Sequence, residues 1–132
     1  MKNIKPSELI KLALHDLEVV ESMPDKYVVD MSTWHAPYIN KCFVCLAGSV
    51  MAISLNTLQH KEVYPTNFPP EQNSLLHALN YFRNGDIING LFCMGINNIH
   101  IHNIEVTQYE VNKEKFKEDM KNMVYNLEYR GL

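Results

Sequence analysis

The longest apolar stretch of the chain runs from Cys42 to Leu55 and contains no charged residue. It exceeds the about four to eight residues of a buried strand. Its apolar side chains would cover every side of a helix, as in helices that are enclosed by protein. Asn40 can cap such a helix with its side-chain oxygen. The pattern predicts a buried central helix over about residues 40–55, too short for the roughly 18 apolar residues that cross a bilayer.

Small residues occupy one side of this predicted helix, at Ala47, Gly48, Ser49 and Ala52. They would allow a neighbouring helix or strand to approach closely. Because glycine costs about 1 kcal/mol relative to alanine inside a helix, we expect a packing reason for Gly48.

Several other segments carry apolar residues on one side, at the three- and four-residue spacing of amphipathic helices. Pro6 is suited to the first turn of one of them, and Asn112 can cap another. Asn84 and Gly85 end a third predicted helix, and Gly95 ends a fourth. The predicted amphipathic helices cover residues 5–21, 71–83 and 87–94, and a last one begins after Asn112.

Two further segments favour strands. Residues 27–31 form a short β-favouring run after a turn. In residues 99–111 apolar and polar residues alternate, and the alternation slips at Asn103, which predicts a strand with a bulge or two short strands. The whole pattern predicts a helix-rich α+β fold over residues 1–132, a single compact domain. In it the buried central helix is surrounded by amphipathic helices, with a small strand element.

The composition is that of an ordinary globular protein and narrows the range of partners. The 132 residues suffice for one domain, and 46% of them are hydrophobic and 20% charged. A net charge of −3 argues against nucleic-acid binding, which needs a basic face. A signal peptide has an uninterrupted apolar region, whereas charged residues interrupt the N-terminal segment of this chain. We therefore expect a cytoplasmic protein without membrane contact, whose three cysteines are thiols or metal ligands.

Cys42 and Cys45 form a C-x-x-C pair that would lie on one face of the first turns of the central helix. The helix macrodipole favours a thiolate there, which suits a nucleophile, a redox pair or two zinc ligands. Cysteine is also among the most buried residue types, so the pair could simply fill the core. We expect no cofactor, with zinc as the alternative.

A zinc site would need two ligands besides the thiols. His100 and His102 could supply them if the bulge near Asn103 brought both rings to one side of the strand. His35 and Cys93 are further candidates. The alternative is that these histidines are half exposed on an edge strand.

A thiol-dependent hydrolase or transferase is another alternative, with Cys42, Cys45 and His35 as catalytic candidates. The base could also come from the two strand histidines, with Asn103 to orient it. A cysteine at a helix start, followed later by a histidine on a strand, is similar in layout to papain-like hydrolases. The flanking glycines and tryptophan of that family are missing from CFVCLAG, so only the layout is shared.

Two loops, residues 32–39 and 64–70, are predicted as contact surfaces. A tryptophan in such a loop can anchor a partner or seal the core. Exposed apolar groups in the second loop could also join two copies in a homodimer. No glycine-rich phosphate loop or nucleotide fingerprint accompanies these loops. The candidate binding residues are Trp34, His35, Tyr64 and Phe68.

The segments YVVDMSTWH and CFVCLAGSVMA, within residues 27–52, resemble small uncharacterised proteins encoded by tailed bacteriophages. The resemblance covers about a fifth of the chain and implies no role for any residue. It implies an accessory phage protein that acts in the cytoplasm of an infected bacterium by binding a host protein or a small signalling molecule. With no specific catalytic motif in the sequence, we expect a non-enzymatic binding protein.

Overall fold

The computed structural model of the chain describes residues 3–57 and 62–132. These residues form five α-helices and one three-stranded sheet, which confirms the predicted helix-rich α+β class. None of the described helices has both the length and the apolar character needed to span a bilayer. In chain order the elements are α1 Pro6–Glu21, β1 Tyr27–Val29, β2 His35–Tyr38, β3 Lys41–Val44, α2 Leu46–Ala52, a 3₁₀ turn Pro65–Asn67, α3 Pro70–Phe82, α4 Ile87–Cys93 and α5 Lys113–Tyr129.

The central apolar segment is part strand and part helix, so the predicted helix over residues 40–55 is wrong at its N-terminal end. Its first residues form β3, and α2 occupies only its middle. Cys45 rather than Asn40 caps the helix, because its Sγ accepts a hydrogen bond from the Gly48 N–H (3.3 Å). Every residue of α2 is buried, and β3 lies between two other strands. α2 has no solvent-facing side, and β3 alternates between exposed or half-buried and buried residues over only four positions, too few to reveal its period in the sequence.

The sheet has the strand order β1-β3-β2. β1 runs parallel to β3, with Tyr27 opposite Cys42, and β2 forms a hairpin with β3 in which Pro37 is opposite Cys42. The Cys42 N–H donates to the Lys26 carbonyl on the β1 side (2.8 Å). A residue opposite Cys42 on β2 therefore directs its N–H away from β3, toward the outer edge of the sheet. Proline lacks this N–H, and it is tolerated here because no bond to β3 is lost.

The helices enclose α2, as the hydrophobic pattern predicted. α1 and α3 contact α2 directly, and α5 packs against α1. The amphipathic helices begin and end within a residue of the predicted bounds, except that α5 had no predicted end. Their buried sides supply the largest core side chains, which include Leu9, Leu17, Phe82 and Phe116.

α2 and the chain that precedes β2 meet at very short range. A Cβ atom on Gly48 would lie 1.6 Å from the Trp34 carbonyl oxygen, which no packing tolerates. The same carbonyl accepts a hydrogen bond from the Cys45 N–H (3.2 Å). The expected packing reason for Gly48 is thus confirmed, because only glycine lets this loop backbone reach the first turn of α2.

The predicted strand over residues 99–111 is wrong, because no strand of the described chain lies beside this segment. Its backbone groups are instead bonded one at a time. The Ile104 N–H donates to the Gly85 carbonyl (3.0 Å), and the Thr107 N–H donates to Asp119 Oδ2 (2.8 Å). Gly85 has a φ of +80°, and a Cβ there would lie 1.9 Å from the Ile104 carbonyl oxygen. The segment is therefore held by the turn between α3 and α4 and by α5, not by a sheet.

Candidate functional site

Both thiols of the C-x-x-C pair are buried. Cys42 is 3% exposed and Cys45 1% exposed, and Cys93 is half-buried on α4. Burial raises the pKa of both central thiols above the usual value, because apolar surroundings disfavour the thiolate. The two thiols do not share a helical face as predicted, since Cys42 belongs to β3. This arrangement suits core packing better than attack on a substrate.

The candidate histidines are divided between the core and the surface. His35 is buried on β2, opposite Val44 of β3. His100 and His102 are exposed on either side of the buried Ile101. Within residues 3–57 and 62–132, no three His, Cys, Asp or Glu side chains are placed to share a metal ion. The structure thus does not bring the alternative zinc ligands together.

Asn103 was expected to orient a catalytic histidine, and the structure gives it another partner. Its Oδ1 accepts a hydrogen bond from the Ile88 N–H (3.1 Å). Asp86 accepts one from the Asn89 N–H in the same turn (3.1 Å). Both side chains therefore satisfy free N–H groups at the start of α4, which is a capping role.

The two loops predicted as contact surfaces are joined to each other. Val63 forms an antiparallel bridge with His35, and the Val63 N–H donates to the His35 carbonyl (2.9 Å). The bridge attaches the proline-bearing loop to the outer edge of β2. In that loop Tyr64 is 46% exposed, whereas Phe68 is half-buried against the core.

Trp34 lies against the core. Its side chain is partly buried, and its ring meets the His77 ring of α3 edge-on, with centroids 5.5 Å apart. Of the two alternatives for this tryptophan, sealing the core and anchoring a partner, these contacts favour the first.

The hairpin tip, which we define as Tyr38 and Ile39, is the most unusual surface feature. Ile39 is 80% exposed and has a φ of +55°, a conformation that β-branched residues rarely adopt. Asn40, the second residue of the turn, would tolerate a positive φ more easily but does not have one. Tyr38 is 64% exposed, and its ring meets Phe43 edge-on at 5.7 Å. The turn thus holds an exposed apolar pair on a strained backbone.

Ile39 was not among the predicted binding residues, although it ends the loop 32–39 that was predicted as a contact surface. One signal could have identified the hairpin. Ile39 and Asn40 are a two-residue connection between Tyr38 and the apolar run that follows Lys41, which is the spacing of a tight hairpin, although Ala36 and Pro37 are disfavoured in strands. Isoleucine at the position where glycine is usual conceals that signal.

Comparisons with protein-family profiles, with curated proteins and with solved structures find no significant match for this chain. The resemblance to phage proteins therefore stays a prediction, and the functional argument depends on the geometry described above.

Proposed function

We propose that this chain is a non-enzymatic binding protein whose hairpin tip inserts into an apolar groove of a partner protein. The observation that carries the proposal is the conformation of Ile39, which has a φ of +55° and is 80% exposed. A left-handed conformation costs a residue with a Cβ about 1–2 kcal/mol. Strain of this kind is found mostly where function requires it. Contact with a partner accounts for both the strain and the exposed apolar side chain.

The neighbours of Ile39 suit an interface. Tyrosine is enriched at the energetic centres of interfaces, and the Tyr38 ring is already supported by Phe43. A side chain that is held in place before binding loses less conformational entropy when the partner arrives. The hairpin tip therefore offers two anchors of which one is ordered in advance.

Tyr64 extends this surface along the sheet edge, and we call Tyr38, Ile39 and Tyr64 the hairpin surface. The bridge between Val63 and His35 is antiparallel, so Tyr64 follows Val63 toward the Trp34 end of the edge, about 10 Å of strand or more from Tyr38. A partner that buries about 800 Å² of this protein's surface would cover both the hairpin tip and Tyr64.

The edge of β2 restricts how the partner binds. Pro37 provides no N–H on the outer edge, and the His35 carbonyl is already bonded to Val63. Addition of a strand from the partner would need these groups. The contact is therefore made by side chains.

In the setting that the phage resemblance implies, the chain is an accessory phage protein and the partner is a host protein in the cytoplasm of an infected bacterium. A net charge of −3 supports a protein partner over a nucleic acid. The burial of Cys42 and Cys45 supports binding over thiol chemistry.

The test compares capture of bacterial host proteins by immobilised wild type, Ile39→Asn and Phe92→Ala. Phe92 is a matched control, because it is an apolar residue of α4 that is 67% exposed. A host protein that is enriched by the wild type should be lost with Ile39→Asn and kept with Phe92→Ala. With the purified partner, Ile39→Asn should weaken the Kd by about 30-fold or more, since hot-spot residues contribute about 2 kcal/mol or more.

Two results would contradict this function. The first is a set of captured proteins that Ile39→Asn leaves unchanged. The second is a stable homodimer of the wild type, measured by light scattering, that dissociates in Ile39→Asn. That result would assign the hairpin surface to a second copy of the chain and not to a host protein.

A further inference from the structure

A cavity of about 580 Å³ opens at the carboxyl end of β1. Asp30 directly follows this strand, and its N–H donates to the Val44 carbonyl at the end of β3 (2.8 Å). The cavity is lined by the loop that follows β1, from Asp30 to Ser32. Its volume falls within the roughly 300–1,000 Å³ of small-molecule sites.

Three charged side chains line the cavity, and each uses part of its hydrogen-bonding capacity to hold the loop after β1. Glu110 Oε1 accepts from the Met31 N–H (2.9 Å), and Arg83 Nη1 donates to the Met31 carbonyl. Asp30 Oδ1 accepts from the Ser32 N–H (3.0 Å) and the Ser32 hydroxyl (2.6 Å). Asp30 thus caps the first turn of the loop after β1.

The other half of each charged group is uncommitted. Among the described residues, Arg83 Nη2, Asp30 Oδ2 and Glu110 Oε2 make no hydrogen bond, and no ion pair joins Arg83 to either carboxylate. Charges of both signs therefore line one cavity without neutralising each other. A ligand that carries one positive and one negative group could pair with both.

Apolar side chains complete the lining, from Met31, Val106, Tyr109 and Phe116. The rings of Tyr109 and Phe116 meet edge-on, with centroids 5.7 Å apart. The Tyr109 hydroxyl donates to Glu21 of α1 (2.5 Å), which fixes its ring. Phe116 is 1% exposed, so it supports the Tyr109 ring from behind, and the cavity combines a charged part with an apolar part in which Tyr109 supplies the accessible ring.

We propose that this cavity binds a free α-amino acid with a large apolar side chain. The guanidinium of Arg83 pairs with the carboxylate of the ligand, for which its planar fork is suited. Asp30 and Glu110 pair with the ammonium group, and Val106 and Tyr109 contact the apolar side chain. This site is separate from the hairpin surface, and it does not depend on the function proposed above.

The test is a ¹H–¹⁵N NMR titration of the full chain with four probes. L-Phenylalanine has all three features, hydrocinnamate lacks the ammonium group, phenethylamine lacks the carboxylate, and glycine lacks the side chain. L-Phenylalanine should shift the amide signals of Met31, Ser32 and Glu110 and bind at least about tenfold more tightly than each other probe.

A variant that removes one negative charge tests whether Glu110 binds the ammonium group of the ligand. Glu110→Gln keeps an acceptor for the Met31 N–H, so the loop should stay in place, and it should weaken L-phenylalanine about tenfold or more while leaving hydrocinnamate unchanged. The matched control is Glu8→Gln, in the first turn of α1 and at the far end of that helix from Glu21, and it should change neither affinity.

Two results would overturn the proposal. One is that no cavity amide shifts with L-phenylalanine at millimolar concentration. The other is a missing contribution of the ammonium group, seen when L-phenylalanine and hydrocinnamate bind alike to the wild type and when Glu110→Gln binds L-phenylalanine as tightly as Glu8→Gln. An unchanged spread of backbone amide signals in each variant establishes that the variants are folded.

Discussion

Replacing Ile39 by glycine measures the strain in the hairpin tip. The φ of +55° costs a residue with a Cβ about 1–2 kcal/mol, and glycine removes that cost. Because Ile39 is 80% exposed, the change sacrifices only about 0.3–0.6 of the roughly 1.5–3 kcal/mol that full burial of an isoleucine contributes. Glycine also adds about 0.5–1 kcal/mol of chain entropy lost on folding. Together these terms change the free energy of unfolding by between about −0.6 and +1.2 kcal/mol, so the variant should stay close to the wild type in stability.

Asn40→Gly is the matched control, because it changes the adjacent residue of the same turn. It adds the same chain entropy, but Asn40 has no positive φ to relieve. The free energy of unfolding should fall by about 0.5–1 kcal/mol. The chain-entropy term is common to both variants and cancels in their difference. Ile39→Gly should therefore have a free energy of unfolding about 1 kcal/mol higher than Asn40→Gly, and this difference reports the strain at Ile39.

Urea unfolding provides the measurement, with the fluorescence of the single tryptophan and far-UV circular dichroism as two probes of one transition. In thermal unfolding the same difference corresponds to about 3–5 °C in Tm. If Ile39→Gly is destabilised as much as Asn40→Gly, the backbone is not strained at Ile39. This result would refute the proposal that the hairpin surface binds a partner.

Three further predictions follow from the core. Gly48→Ala should lower the free energy of unfolding by about 3 kcal/mol or more, because the facing loop carbonyl leaves no room for a Cβ; an alanine variant with unchanged urea midpoint would contradict this. A thiol reagent at neutral pH should label Cys93 before Cys45, which is 1% exposed and should react only on unfolding; rapid labelling of Cys45 would contradict its burial. Burial raises the pKa of Asp16 above 3.8, although a hydrogen bond from Ser54 lowers it. The folded state thus binds this proton more tightly than the unfolded state, and the resulting stability is complete below pH 3.8 and lost as the pH rises through the raised pKa. Stability should therefore fall less steeply over that range in Asp16→Asn, and equal pH profiles would contradict the shift.

The amphipathic helices could be predicted from the sequence because each has one side in water and one in the core. The buried side of α1, for example, repeats at Leu9, Ala13, Leu17 and Val20, and solvent exposure of the other side makes the period visible. The central segment has no such contrast. Its side chains are apolar whether they belong to β3 or to α2, so the boundary at Cys45 could not be read from their pattern.

The alternation in residues 99–111 misled for a different reason. Ile101 is buried between two exposed histidines, as in a strand, but a strand also needs a neighbour for its backbone groups. The neighbours here are a helix end and a helix side chain. Which element lies beside a segment depends on the tertiary fold, and local sequence does not contain it.

The two proposed sites also differ in how far the sequence could predict them. Loop 32–39 was predicted as a contact surface and contains the hairpin tip, although the φ of Ile39 could not be foreseen from residue preferences. The cavity at the end of β1 was not predicted at all. Arg83 and Glu110 meet there at the backbone of Met31, from sequence separations that no local motif spans.

Binding through the strained hairpin tip is tested most directly by measuring two quantities on one preparation of Ile39→Gly, the free energy of unfolding and the Kd for the captured host protein. We expect the free energy of unfolding to stay within about 1 kcal/mol of the wild-type value and the Kd to be weakened by about 30-fold or more. A variant that binds as tightly as the wild type would contradict the proposed role of Ile39, and so would one that loses stability and affinity together.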